Sequence, residues 1–281
     1  MKKVQASSTA LGTAAMRAIE SEKPAHIRIC YDPFARRFTS PLFHFLIKRL
    51  SSYGERRTNG GLTFIVCRCR YIDDYLRECL KASISQLVIL GAGLDSRAYR
   101  EDVRQIKVFE VDHPASQASK IKRVNKIFGN APSNVTYVPI DFDNKTLDKL
   151  LAFGFAKSLK TLFIWEGVTY YLSSEAVDLT LSWVRSNSSP GSAIIFDYQY
   201  IPDSTSISSK HNLLYSLISR ISGEKRAFGM ERSSIIDFLT HRGFTNVVEV
   251  NAEQLRLLYC ISPNKARPFF DTYAIAHAEV S

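Results

Sequence analysis

The stretch "LVILGAGLDSRAYR" (87–100) runs from an apolar segment through Gly91 and Gly93 into Asp95, Arg97 and Arg100. Glycine at the end of a buried strand adopts backbone conformations closed to other residues and lets a ligand lie against the main chain. The same pair also serves a tight turn with nothing bound. The residues that follow bear on this choice. "FEVDHP" (109–114) ends the next apolar run, and Asp112 stands 21 residues beyond Gly91 (112 − 91). An acid about 20 residues past such a loop is placed to accept hydrogen bonds from ribose hydroxyls. Glu110 shares a face with Asp112 by strand alternation, and Asp112, nearer the strand end, is the expected ligand. In "VPIDFD" (138–143), Asp141 can accept from an adenine amino group while Phe142 lies against the purine ring. In "LFIWEGVTYYL" (162–172), Glu166 is a natural partner for a cationic amino group. One acid after a strand is usually a solvated loop or helix-capping residue. Three acids at three successive strand ends, after a glycine loop, read as a ligand-binding edge.

A dinucleotide fold is the competing reading. Its fingerprint, GxGxxG, needs a third glycine or alanine where the helix meets the pyrophosphate. Position 96 is Ser here, and Asp95 brings negative charge to that place. The loop suits a ligand with ribose and no phosphates, and S-adenosyl-L-methionine is such a ligand.

These residues need a scaffold. Residues 1–82 read as helical: "TALGTAAMRAIESE" (9–22), "SPLFHFLIKRL" (40–50) with a Ser-Pro start, and "GGLTFIVCRCRYIDDYLRECLKA" (60–82), whose apolar residues recur at three- and four-residue steps. Short apolar runs then follow at 86–90, 107–111, 135–140, 161–165 and 192–196, separated by helix-length segments. That alternation predicts a parallel sheet covered on both faces, completed by "TNVVEV" (245–250) and "TYAIAHAEV" (272–280). The expected organisation is a helical cap over 1–84 and an α/β core over 85–281. Residues 198–230 and 251–271 interrupt the rhythm, and the first insertion is expected to act as a helical lid.

Composition narrows the function classes. Of 281 residues 45% are hydrophobic and 23% charged, as in an ordinary globular protein, and no apolar run reaches the ~20 residues of a membrane helix. The opening residues lack a secretory signal's apolar core, so a cytoplasmic protein with no membrane partner is expected. Five cysteines form no CxxC pair, and no metal site is expected. The net charge of +10 suits an anionic partner, yet the basic residues are scattered and the densest cluster, "GERRTNGG" (54–61), lacks aromatics for base stacking. Nucleic acid is therefore not the expected partner. Nothing in the sequence sets the oligomeric state.

Taken together, "STALGTAAMRAIE" (8–20), "YDPFARRF" (31–38), "CRCRYIDDYL" (67–76), "LGAGLDSRAYR" (90–100), "FEVDHP" (109–114), "IDFD" (140–143), "WEGVTYYL" (165–172) and "YAIAHAEV" (273–280) resemble the leucine carboxyl methyltransferase family of class I S-adenosyl-L-methionine-dependent methyltransferases. The resemblance spans nearly the whole chain. It implies a Rossmann-like, mostly parallel sheet with an antiparallel last strand, and S-adenosyl-L-methionine as cofactor. It implies that Arg70 pairs with the methionine carboxylate and that the loop of Gly91 and Gly93 passes under the ligand. Asp112 would hold the ribose, Asp141 and Phe142 the adenine, and Glu166 the amino group. Arg17 matches an N-terminal arginine of the family's small-molecule branch, while its protein methyltransferases place a lysine differently. Arg70 could instead be a surface partner of Asp73 or Asp74, one helical turn away.

The start of the chain and its ending soon after "AHAEV" favour a small-molecule O-methyltransferase, acting on a carboxylate or a hydroxyl, over a protein C-terminal carboxyl methyltransferase. A carboxylate nucleophile needs no base, whereas a hydroxyl needs one. Tyr170, Tyr171, Tyr198 and Tyr200 follow the fourth and fifth strands and are candidates to line the acceptor pocket, with core packing as the plain alternative. No pattern identifies a catalytic base. A non-catalytic ligand-binding protein of the same fold remains the reading from a different class.

Overall fold

A computed structural model of the chain describes residues 8–57, 60–142, 146–201 and 228–281, without the side chains of Ser8 and 51–57. Most of the expected lid, residues 202–227, lies outside them. Four helices come first: α1 (Ser8–Ser21), α2 (Ala35–Phe38), α3 (Pro41–Arg57) and α4 (Gly61–Lys81). Pro41 opens α3, where its missing N–H costs nothing, and the Ser40 hydroxyl accepts from the Phe43 N–H at 3.2 Å.

The sheet then begins. Strands β1 (Gln86–Leu90), β2 (Lys107–Asp112), β3 (Val135–Pro139), β4 (Thr161–Trp165) and β5 (Ala193–Gln199) are joined through α5 (Pro114–Phe128), α6 (Lys149–Ala152) and α7 (Ser174–Asn187). After α8 (Ile235–Thr240) come β6 (Phe244–Val250), α9 (Ala252–Tyr259) and β7 (Tyr273–Val280). The spatial order is β3-β2-β1-β4-β5-β7-β6. The first five strands run parallel, and β7 lies antiparallel between β5 and β6.

Alternation explains the two cores. Leu87, Ile89, Leu162, Ile164 and Ile195 join Phe64, Ile72 and Leu76 of α4 on one face. Val88, Leu90, Phe163, Trp165, Ile194 and Phe196 join Leu181 and Trp183 of α7 on the other. Both faces are buried, so the strands carry continuous apolar runs rather than a polar–apolar alternation. From β1 the chain turns one way to β2 and β3, and later returns to β4 on β1's opposite side. The carboxyl ends of β1 and β4 are therefore neighbours at the switch point, where open α/β sheets bind their ligands.

Candidate functional site

A cavity of about 350 Å³ opens at that switch point, within the range of small-molecule sites. Thr9, Ala10, Thr13 and Arg17 of α1 line one side and Arg68 of α4 another. The floor is the loop Gly91–Asp95 after β1, and the walls are Asp112, Asp141, Phe142, Glu166, Gly167 and Val168 at the ends of β2, β3 and β4. Tyr170 and Tyr171 complete it from the short 3-10 turn after β4.

The two glycines serve different ends. Gly91 has φ +67° and donates its N–H to the Val111 carbonyl at 2.8 Å. A side chain there would overlap the Val168 methyl, so packing between the β1 and β4 loops requires glycine. Gly93, at φ +40°, donates its N–H to Asp112 Oδ2 at 2.7 Å. Asp112 Oδ1 accepts the His113 N–H at 2.7 Å, which leaves each oxygen able to accept once more. Burial pushes the Asp112 carboxyl above its ordinary value, and the two backbone N–H groups only partly offset this.

Glu110 takes no part in the cavity. It is fully buried, bonded to Lys120 Nζ at 2.7 Å and to the Tyr99 hydroxyl at 3.0 Å. Burial raises it to about 7 despite Lys120. Lys120 Nζ also donates to the Ala92 carbonyl at 3.2 Å and so braces the glycine loop from below.

The arginines differ most from the sequence reading. Arg70 lies outside the cavity: its guanidinium bonds Asp74 one turn on at 2.9 Å and the Ile29 carbonyl at 3.2 Å, with 43% of its side chain exposed. Residues two apart on a helix point about 200° apart, so only one arginine of "CRCR" can face the sheet. Arg68 is that residue. Its Nε bonds Glu166 Oε1 at 3.1 Å and its Nη1 bonds Asp197 Oδ2 at 2.5 Å. Arg97, also fully buried, bonds Asp73 at 2.6 Å, Asp95 at 2.5 Å and Glu166 Oε2 at 2.7 Å. Burial alone would push the Glu166 carboxyl up, but Arg97 and Arg68 hold it below the ordinary range. Arg17 bonds Asp32 at 3.0 Å and the Leu94 carbonyl at 2.6 Å, which fixes the cavity-lining part of α1 to the glycine loop.

Of the four tyrosines, Tyr170 and Tyr171 line the cavity, with ring centroids 4.6 Å apart. Tyr198 and Tyr200 do not. They lie on the α7 face of the sheet and donate together to Glu249 Oε1, at 2.6 and 2.8 Å. Sequence reasoning missed Arg68, which lines the cavity, and Asp197, which bonds it from β5. The signal for Arg68 was helical phase, since it falls between Phe64 and Ile72 on α4's buried stripe.

The leucine carboxyl methyltransferase family profile matches residues 10–185, a span that includes every cavity element from α1 to β4 except Thr9. The chain belongs to that family. A Mycobacterium avium (strain 104) protein named "Putative S-adenosyl-L-methionine-dependent methyltransferase" is 28% identical over 287 residues, covering 96% of this chain and 88% of its own length. YktD of Bacillus subtilis (strain 168), named in the same way, is 39% identical over 136 residues, 47% of this chain and 44% of its own. A DUF574 family protein from Streptomyces avermitilis shares the fold at a TM-score of 0.60 and 10% identity, over 96% of this chain and 97% of its own. This leucine carboxyl methyltransferase family member is an S-adenosyl-L-methionine-dependent methyltransferase. Among the described residues no helix is long and apolar enough to cross a membrane.

Proposed function

We propose that the protein methylates a carboxylate or hydroxyl oxygen of a small molecule. The observation that carries this reading is α1: the "STALGTAAMR" segment lies along the cavity through Thr9, Ala10, Thr13 and Arg17 and turns the sheet edge into a concave pocket. The donor set fits the cofactor. Asp112 keeps acceptor capacity for a ribose diol beside Gly93. Asp141 and Phe142 stand at the adenine end, with Phe142 stacked near Trp165 at 6.3 Å. Glu166 is the acid for the amino group, and Arg17 and Arg68 supply positive charge for the carboxylate. Arg68 takes the place that the resemblance gave to Arg70.

When bound, the cofactor would supply an electrophilic methyl group for the acceptor oxygen. The protein's part is to hold the reactants in line, which can account for much of the rate. Burial holds the Tyr170 hydroxyl well above its ordinary pKa, so it stays protonated and acts as wall rather than base. Incubation with methyl-labelled S-adenosyl-L-methionine and small-molecule extract tests the reading: a labelled, base-labile ester or a labelled ether supports it. Label found only on protein C-termini favours the protein carboxyl methyltransferase. Tight cofactor binding with no labelled product favours a non-catalytic binding protein, and stabilisation by NAD but by neither adenosyl ligand overturns the cofactor itself.

A further inference from the structure

Asp197 stands on β5 with no exposed surface and lines no part of the cavity. Its two carboxylate oxygens are nonetheless aimed at groups that do, and its carbonyl at the turn after β4. Its Oδ1 takes the Gly167 N–H at 2.6 Å, its Oδ2 takes Arg68 Nη1 at 2.5 Å, and its carbonyl takes the Thr169 hydroxyl at 2.5 Å. One residue thus ties together the loop after β4, the turn carrying Tyr170 and the arginine that reaches in from α4.

We infer that Asp197 is a positioning residue that orients the Arg68 guanidinium for the amino-acid end of the cofactor. The inference rests on the cofactor placement proposed above. Its logic is geometric. Arg68 presents its Nε and Nη2 edge to Glu166 Oε1, both at 3.1 Å. A guanidinium is planar and its donors form a rigid fork, so a second fixed acceptor at Nη1 defines the plane. With Glu166 alone, the fork could pivot about a single oxygen. With Asp197 as well, it is held at two points, just past β4 and on β5. Asp197 also fixes the backbone next to Glu166 through the Gly167 N–H. The acid and the base of the amino-acid subsite are therefore set by one side chain that does not itself touch the ligand.

The test separates orientation from general support. Asp197→Asn keeps the shape and can still accept the Gly167 N–H, but it turns an amide N–H₂ toward Arg68. Binding of S-adenosylhomocysteine and of 5′-methylthioadenosine, which lacks the amino-acid end, is measured by calorimetry on the full chain. The variant should bind S-adenosylhomocysteine about tenfold more weakly, ~1.4 kcal/mol, with 5′-methylthioadenosine unchanged. Arg68→Lys, which keeps the charge and loses the fork, should show the same selective loss and guards against misfolding of the first variant. Equal weakening of both ligands, or no change in either, overturns the inference while leaving the cofactor reading intact. A parent protein that binds neither ligand overturns both.

Discussion

Arg68 and Arg70 are two residues apart, and the structure assigns them opposite fates. Replacing each with Met removes the charge while keeping a long apolar side chain. Arg68 is 4% exposed at the side chain, and its partners Glu166 and Asp197 are 8% and 0% exposed. Its loss leaves Glu166 with Arg97 and leaves Asp197 with the Gly167 N–H alone. Removing one partner from a buried ion pair costs about 3–5 kcal/mol. For a chain of this size ~1 kcal/mol moves Tm by roughly 2–4 °C, so a fall of about 6–20 °C is expected. Arg70 pairs with Asp74 at a half-exposed surface and bonds the Ile29 carbonyl. Its removal should cost ~0.5–1 kcal/mol, a few degrees at most. Thermal unfolding gives the stability of both variants, and titration with S-adenosylhomocysteine gives their binding. Arg68→Met should lose both, and Arg70→Met should keep both within small margins. If Arg70→Met abolished binding while Arg68→Met bound like the parent, the helical phase assigned to α4 would be wrong.

Asp112→Ala should weaken S-adenosylhomocysteine by ~1–3 kcal/mol, the scale for hydrogen bonds to a charged group; binding equal to the parent's would remove Asp112 from the ribose site. Gly91→Ala should destabilise the protein, because alanine is strained at φ +67° and its Cβ meets Val168. Adding Val168→Ala should restore part of that loss, and a double variant no better than Gly91→Ala would show that backbone strain alone is at fault. Glu110→Gln probes the buried pair with Lys120. An unfolded glutamate releases its proton near 4.5, whereas burial holds Glu110 to about 7. Between those values the folded state binds more protons, so this group's contribution to stability falls as pH rises. Denaturation of parent and variant from pH 5 to 8 should show the parent losing ground relative to Glu110→Gln, and the opposite slope would contradict the assignment.

Where the sequence was legible, burial was the reason. β1, β4 and β5 are covered on both faces, so their apolar runs needed no tertiary information to be recognised. The acids at strand ends were legible because a charge closing an apolar run has few places to go except the sheet's edge. Choosing Asp112 over Glu110 needed depth along the strand as well as facing. Two positions relative to the cavity depended on phase. The stripe Phe64, Arg68, Ile72, Leu76 places a charge among buried residues of α4, and family likeness drew attention to Arg70 instead. On β5, Asp197 shares a face with Ile195, while Phe196 and Tyr198, and Tyr200 just past the strand, share the other. Period-two alternation therefore puts Asp197 towards α4 and the two tyrosines away from it. Which acid each arginine meets was not legible, because those pairs join α4, the glycine loop and two strand ends that only the fold brings together.

The same pairs explain how several acids can crowd one ligand edge. Asp95 and Glu166 both bond Arg97 Nη1, at 2.5 and 2.7 Å, which places the two carboxylates within a few ångströms of each other. Like charges at about 4 Å repel by ~4 kcal/mol at an effective dielectric of 20, and this would favour protonating one of them. Arg97 and Arg68 prevent that, and both acids are held below their ordinary range. A lone cation entering this edge would find Glu166 already bonded at both oxygens. A lone anion would meet arginines already matched to acids. A ligand end with an ammonium and a carboxylate together can instead exchange partners, its ammonium taking a share of Glu166 as its carboxylate takes a share of Arg68. No buried charge is left uncompensated in that exchange, the condition under which buried ion pairs remain tolerable. On the proposed cofactor placement, the network would suit a zwitterionic end, and the amino-acid moiety of the methyl donor is one.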